Sequence, residues 1–193
     1  PDEFGRRIRA ILLDKLAKGV KVALVYDWLG SLNAHVRGFF KPLIEAGAEV
    51  RPYNPPAWTA GIGLFSRNHR KSLIIDEHTA FVSGLCISAA WNGKPAKGIE
   101  AWRDTGLALQ GPIVQDVLAA FEDTLISQGG TMPPLKRYEN EDAMPAGSTR
   151  ARVLATTPAN INTMRLDLNI IGLATQNLWI TDAYFMPTRM YVQ

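Results

Sequence analysis

The chain has 193 residues, of which 47% are hydrophobic and 20% are charged, and its formal net charge is +3. This is ordinary globular composition with enough apolar residues for one core, and the mild basic excess suits an anionic substrate but falls far short of a nucleic-acid-binding arm with blocks of like charge. A single cysteine excludes an internal disulfide, three histidines leave few zinc patterns, and no apolar run is long enough to span a bilayer.

The first part of the chain alternates helical and strand patterns. Apolar residues at helical spacing predict a helix that ends before Gly19: they are Ile8, Ile11, Leu12 and Leu16. The apolar run "VKVALVYD" at 20–27 predicts a buried strand, and 49–54 predicts a second, shorter strand. One amphipathic helix is predicted between them, over 33–47. A loop rich in proline and glycine follows at 55–66.

Two apolar runs, 71–77 and 80–87, predict paired strands across a tight turn. A further strand is predicted at 105–111, directly before a helix over 112–127. That helix begins with Pro112, at a position where a missing N–H costs nothing.

Residues 128–150 are polar, rich in proline and glycine and without periodicity, which predicts a linker. After the linker we predict a strand, a helix and a strand, at 151–157, 159–175 and 177–185. Helices that alternate with apolar strands predict an α/β fold, in which a mixed sheet has helices on both faces. We expect the chain to be a piece of a longer protein.

The stretch "RNHRKSLIID" at 67–76 carries the chemistry. Lys71 lies two positions from His69, so on a strand both side chains would project from the same face. A neutral imidazole is a good nucleophile, and an ammonium can neutralise an oxygen of a phosphodiester as charge builds at phosphorus. Asp76 has the opposite strand parity. The structural alternative is a surface strand whose charges form ion pairs.

The pattern His69-x-Lys71-x4-Asp76 resembles the H-x-K-x4-D signature of the phospholipase D superfamily. The segments "NHRKSLIIDEHTAFVSG" and "AWRDTGLALQGP" are similar to the bacterial cardiolipin synthase branch, as are "GVKVALVYDWLGS", "AGAEVRPYNP" and "LWITDAYFMP". The resemblance covers nearly the whole chain. It implies phospholipase D-like α-β-α layers, with 1–127 as the first repeat, 128–150 as a linker and 151–193 as the beginning of the second repeat.

The resemblance also implies roles for individual residues. His69 would form a phosphohistidine and Lys71 would neutralise the phosphate, without a metal or any other cofactor. Asp76 would be partly structural, and a later carboxylate would contact the histidine. Asp104 is our candidate for that role, with Glu100 as the alternative.

The turn after the motif would bind the phosphate, through Ser83, Gly84, Cys86 and Ser88. Here the chain departs from the family pattern, because Cys86 stands where the family has asparagine, and a thiol is only a weak hydrogen-bond donor. We therefore expect weaker phosphate binding in this half-site, or compensation by Ser83 or Ser88. Cys86 also fits a small buried hydrophobic residue.

No second H-x-K occurs in these residues, because His35 and His78 lack a lysine two positions later. The resemblance implies that a second histidine protonates the leaving group. We expect this second H-K-D half-site beyond Gln193 or on a partner chain, and negligible turnover without it.

The resemblance therefore implies phosphatidyl transfer, or phospholipid hydrolysis, on a substrate similar to phosphatidylglycerol. It also implies peripheral membrane contact on the cytoplasmic side in a bacterium. A nuclease of the same superfamily is the first alternative, although the modest charge and the lack of a basic-aromatic groove make nucleic acid a poor fit. A catalytically silent phosphate-binding or scaffold domain is the second.

Overall fold

The structure is a computed structural model that describes residues 2–56, 66–134, 147–157 and 160–181. The chain divides into two compact units, Pro1–Arg152 and Val153–Gln193. The helices in the described parts are α1 Glu3–Ala17, α2 Leu32–Val36, α3 Lys41–Glu45, α4 Ala89–Asn92, α5 Ile113–Ser127 and α6 Asn162–Leu173, with a short 3-10 helix at Pro95–Lys97. The strands there are β1 Ala23–Asp27, β2 Glu49–Tyr53, β3 Ser72–Ile75, β4 Thr79–Ser83 and β5 Gly106–Gln110. None of these helices has the length and apolar character needed to cross a bilayer.

The strands β1 and β2 form a parallel pair. Parallel neighbours need a crossover connection, and α2 and α3 lie in it. The prediction of one continuous helix over 33–47 was wrong. Gly38 adopts φ +64° directly after α2, and Pro42 lies in the first turn of α3. Glycine accepts this left-handed conformation at a helix end and proline favours a helix start, so the pattern splits into two short helices.

The strands β3, β4 and β5 form an antiparallel sheet in that order. The helix α5 contacts all three strands and also β1. Its buried apolar residues fall on one face of the helix: they are Val114, Val117, Leu118 and Leu125. Ala80 of β4 is fully buried. The core of the first unit therefore lies where α5 packs on the strands.

The α/β class, with both parallel and antiparallel strands, is confirmed. The predicted hairpin, the strand at 105–111 and the helix over 112–127 are present, although β4 ends at Ser83. Residues 57–65 of the predicted loop and 135–146 of the predicted linker lie outside the described residues. The division into a first repeat, a linker and a second repeat stays a prediction.

The second unit contains α6, which confirms the helix predicted over 159–175. The strand predicted at 151–157 is absent, and these residues make only one isolated bridge, between Thr157 and Asn160. Residues 177–181 are also not in a strand, and 182–185 lie outside the described residues. An apolar run becomes a strand only when a neighbouring strand satisfies its backbone N–H and C=O groups, and a sequence pattern does not supply that neighbour.

Candidate active site

The H-x-K segment (residues 67–71) precedes β3 instead of lying within it. The strand begins at Ser72, and Lys71 is joined to it by one more backbone bond, from the Ser83 N–H to the Lys71 carbonyl at 3.1 Å. His69 lies two residues further from the strand, in irregular backbone. The prediction that both side chains share one face of a strand was therefore wrong, and strand parity does not determine where His69 points.

His69 and Lys71 are nevertheless in direct contact. The Lys71 ammonium donates a hydrogen bond of 2.7 Å to the backbone carbonyl of His69. His69 is exposed and Lys71 is half-buried, so neither lies in the core. Within the described parts of the chain, the His69 imidazole has no hydrogen bond or ion pair. The ring is thus accessible to a substrate, with an ammonium held beside its backbone.

Asp27, the last residue of β1, is hydrogen-bonded to the start of the H-x-K segment. Its Oδ1 accepts a hydrogen bond from the Asn68 backbone N–H at 2.9 Å. Its Oδ2 accepts from the Arg67 guanidinium at 2.8 Å and from the Gly30 N–H at 2.7 Å. The predicted sheet pattern ended a strand on Asp27 but gave no sign of this contact, because Arg67 is 40 residues away.

Arg70 fastens the other side of His69. Its guanidinium donates to the Ala120 carbonyl at 2.9 Å and to the Thr124 hydroxyl at 2.7 Å, both on α5. Thr124 is buried. Arg70 is therefore attached to α5 through its guanidinium. His69 lies between one attachment to β1 and another to α5.

The pKa of the Asp27 carboxyl group is lowered from 3.8. Burial acts in the opposite direction and raises it, but the hydrogen bonds from the backbone of Asn68 and Gly30 and from Arg67 outweigh burial. Each of these donors stabilises the ionised form. Asp27 is therefore a carboxylate that its neighbours hold in the charged state.

Ser83, Gly84 and Asp104 lie at the same end of the antiparallel sheet as Lys71. Ser83 pairs with Lys71 on one side and with Gly106, the first residue of β5, on the other. An ideal β-carbon on Gly84 would lie 2.5 Å from the Asp104 Cγ, so that carboxylate packs directly on the glycine. The Oδ1 of Asp104 accepts a hydrogen bond of 2.6 Å from the Thr105 N–H. No hydrogen bond between Asp104 and His69 exists among the described residues.

Asp76 lies at the opposite end of the sheet, in the turn between β3 and β4. It adopts φ +50° and Glu77 adopts φ +58°, as residues of a tight hairpin turn do. At roughly 3.3 Å per residue, the intervening strand separates Asp76 from Lys71 by about 17 Å. The structure therefore does not bring Asp76 together with His69, and Asp76 serves the turn.

The remaining predicted residues follow β4. Cys86 is exposed, so its interpretation as a buried hydrophobic residue was wrong. The Ser88 hydroxyl accepts a hydrogen bond of 3.4 Å from the Ala90 N–H and caps the start of α4. Glu100 is exposed in the loop before β5. In the part of the chain that the structure describes, no group of three or more His, Cys, Asp or Glu could hold a metal ion.

Comparison with curated proteins identifies relatives whose sequences align with almost the whole chain. It is 32% identical over 189 residues to cardiolipin synthase A of Pseudomonas fluorescens strain SBW25, in an alignment that covers 96% of this chain and 38% of that protein. It is 31% identical to cardiolipin synthase 1 of Bacillus cereus and 29% identical to cardiolipin synthase A of Pseudomonas aeruginosa strain PAO1, with the same coverage. The chain belongs to the phospholipase D superfamily.

The chain spans 38% of the length of the curated relatives that it matches. No family model matches the chain, and no solved structure matches it. The superfamily predicted from the H-x-K-x4-D pattern is confirmed by the relatives, which are cardiolipin synthases. The roles of individual site residues stay predictions.

Proposed function

We propose that this chain contributes half of an active site for phosphatidyl transfer through a covalent phosphohistidine at His69. The observation that carries the proposal is that the His69 imidazole is exposed while the Lys71 ammonium lies 2.7 Å from the backbone carbonyl oxygen of His69. Asp104, Ser83 and Gly84 lie at the same end of the sheet as Lys71. The similarity to cardiolipin synthases along 96% of the chain supports the same reaction.

In the first step, a ring nitrogen of His69 attacks phosphorus of a phosphodiester. The new P–N bond replaces the P–O bond to the leaving alcohol, whose oxygen takes a proton from an acid. In the second step, an acceptor alcohol gives its proton to the conjugate base of that acid. Its oxygen attacks phosphorus, and the P–N bond breaks. Two displacements of moderate difficulty replace one that is very slow, because the anionic oxygens repel a nucleophile.

Lys71 neutralises the phosphate oxygens during both steps. An ammonium aimed at the position where charge builds up stabilises the transition state more than the ground state. Asp104 would orient the imidazole and stabilise its protonated form, as carboxylates do for catalytic histidines. This requires the Asp104 carboxylate to turn from the Thr105 N–H toward His69 when substrate binds.

The acid for the leaving group would come from a second H-K-D half-site, in the same longer protein or on a partner chain. His35 does not supply it, because its Nδ1 is hydrogen-bonded to the Tyr26 hydroxyl at 2.6 Å and no lysine follows two positions later. By itself, this chain would turn over negligibly. We propose a phosphatidylglycerol-like substrate and peripheral contact with the bacterial membrane that contains it.

The test measures conversion of phosphatidylglycerol vesicles to cardiolipin by the longer protein that carries this chain, and by the 193-residue chain alone. We expect product from the longer protein, none with His69→Ala, and normal amounts with the control His78→Ala, which removes a histidine at the other end of the same hairpin. Product with His69→Ala would overturn the proposal. Efficient turnover by the 193-residue chain would overturn the need for a second half-site.

Each of the two alternatives has its own readout. A nuclease would cleave single-stranded DNA instead, in a His69-dependent reaction with a steep dependence on salt. A silent phosphate-binding domain would bind phosphatidylglycerol without product, and the exposed Cys86 at the asparagine position supports this second alternative. Cys86→Asn should tighten phosphate binding, and unchanged binding would contradict a role for this position.

A further inference from the structure

His69 stands between two attachments that come from distant parts of the chain. Arg67 and Asn68, just before it, are bonded to Asp27 at the end of β1. Arg70, just after it, is bonded to α5. His69 itself lies in irregular backbone, and its side chain has no hydrogen bond or ion pair among the described residues, so these neighbours determine where its imidazole can be.

The Asp27 carboxylate is the centre of the first attachment, and both of its oxygens are used. Oδ1 receives the Asn68 backbone N–H, and Oδ2 receives the Gly30 N–H together with the Arg67 guanidinium. All these N–H donors point at one carboxylate. An asparagine would replace one of the two acceptor oxygens with an NH2 group, which cannot accept the hydrogen bonds made there. Charge and acceptor capacity are therefore both required at this position.

This ion pair is the least exposed of the acidic–basic pairs among the described residues, and it contrasts most clearly with the pairs between residues one helical turn apart. The side chains of Asp27 and Arg67 are 13% and 36% exposed, whereas those of Asp14 and Lys18, a pair one helical turn apart, are 55% and 64% exposed. An exposed pair contributes little, because water competes for both charges. A shielded carboxylate that also bonds two backbone N–H groups constrains the backbone itself.

Gly30 leaves the space that this arrangement needs. An ideal β-carbon there would lie 2.9 Å from the Asp27 Oδ2 and 3.0 Å from the Arg67 Nη2. A methyl group at this position would push between the carboxylate and the guanidinium without changing any charge. Gly30→Ala therefore perturbs the same attachment by a different physical route from Asp27→Asn.

We infer that Asp27 is a positioning residue for His69: its carboxylate fixes the start of the H-x-K segment so that the imidazole is presented to phosphorus in one orientation. The inference rests on the proposed nucleophilic role of His69. Displacing a reacting group by about 1 Å costs on the order of 100-fold in rate. Loss of this attachment should lower kcat and leave KM nearly unchanged, because Asp27 does not touch the substrate.

The experiment compares Asp27→Asn and Gly30→Ala with the control Asp14→Asn, which removes the exposed helical pair. In the longer protein, kcat per folded molecule should fall by roughly 10- to 100-fold for the first two variants and stay unchanged for the control. In the 193-residue chain, amide hydrogen exchange at Asn68 should accelerate at least about tenfold in the same two variants, while exchange in β4 stays the same.

The outcomes separate this inference from the proposed function. Normal kcat with Asp27→Asn, alongside inactive His69→Ala, would overturn the positioning role and leave the function standing. Product with His69→Ala would overturn the proposed function, and faster Asn68 exchange in both variants would still establish the attachment. Unchanged Asn68 exchange, or a loss confined to Asp27→Asn with Gly30→Ala normal, would contradict the inference.

Discussion

The Asp104 carboxylate packs on the α-carbon of Gly84, so closely that an ideal β-carbon on that glycine would lie 2.5 Å from the Asp104 Cγ. Gly84 follows β4 and Asp104 precedes β5, so the contact joins the ends of two neighbouring strands. Glycine is required here by close approach rather than by an unusual backbone angle. We propose the Asp104 carboxylate as the partner of His69, and this contact with Gly84 determines its position in the structure.

Gly84→Ala should destabilise the first unit by about 1–3 kcal/mol, the usual cost of forcing atoms into a filled space. Relief requires Asp104 to rotate away and lose its bond from the Thr105 N–H. The urea midpoint measures the change. Gly147→Ala is the matched control, since nothing lies within 4 Å of its β-carbon position. Equal midpoints for the two variants would refute the close contact, and adding Asp104→Ala to Gly84→Ala should recover most of the loss.

Gly38→Ala should cost about 1 kcal/mol, because at φ +64° the β-carbon of alanine crowds the residue's own backbone carbonyl. No atom beyond the adjoining residues lies within 4 Å of the added methyl group, so the cost comes from the backbone conformation and not from a clash with another part of the fold. Gly38→Asn should cost less, since asparagine accepts this conformation more readily than alanine. Thermal unfolding of the two variants checks the order. An alanine variant as stable as the wild type would show that α2 and α3 do not depend on this bend.

The elements that the sequence predicted correctly are those whose signals are local. The helix ending before Gly19 and the helix after Pro112 have their periodicity and their end signals within a few residues. The helix over 33–47 failed because the pattern of apolar residues was read through Gly38 and Pro42. At 177–181, the apolar run had the composition of a strand, but pairing depends on residues elsewhere in the chain.

The site shows the same limit. The pattern around His69 and Lys71 identified the superfamily, because spacing is a local property. The ion pair between Arg67 and Asp27 depends on a fold that brings together residues 40 positions apart, and no local sequence pattern predicts it. The only signal in the sequence was that the strand predicted at 20–27 ends on Asp27. That signal predicts a carboxylate at the end of a strand, but it does not identify Arg67 as its partner.

Thr124→Val should loosen the second attachment of the H-x-K segment. The Thr124 hydroxyl accepts from Arg70 and donates to the Ala120 carbonyl, and valine has the same shape without the hydroxyl. We expect a loss of roughly 1–2 kcal/mol in the free energy of unfolding, because both hydrogen bonds of the hydroxyl are removed and each typically contributes about 1 kcal/mol. The control Thr79→Val removes a hydroxyl whose contact with Gln110 is 3.5 Å long, and it should cost less. Urea unfolding at fixed pH compares the two, and equal losses would argue against the attachment.

The lowered pKa of Asp27 predicts how stability depends on pH. The unfolded carboxyl group, with its ordinary pKa of 3.8, binds a proton at higher pH than the folded one. The contribution of Asp27 to stability is therefore complete above that value and is lost as the pH falls through the lowered folded pKa. The free-energy difference between the wild type and Asp27→Asn should shrink as the pH is lowered from about 6 to about 2. Urea unfolding across this range measures it, with Asp14→Asn as the control for acid effects elsewhere. A difference that stays constant over the range would show that Asp27 is no better stabilised as a carboxylate in the folded chain than in the unfolded one.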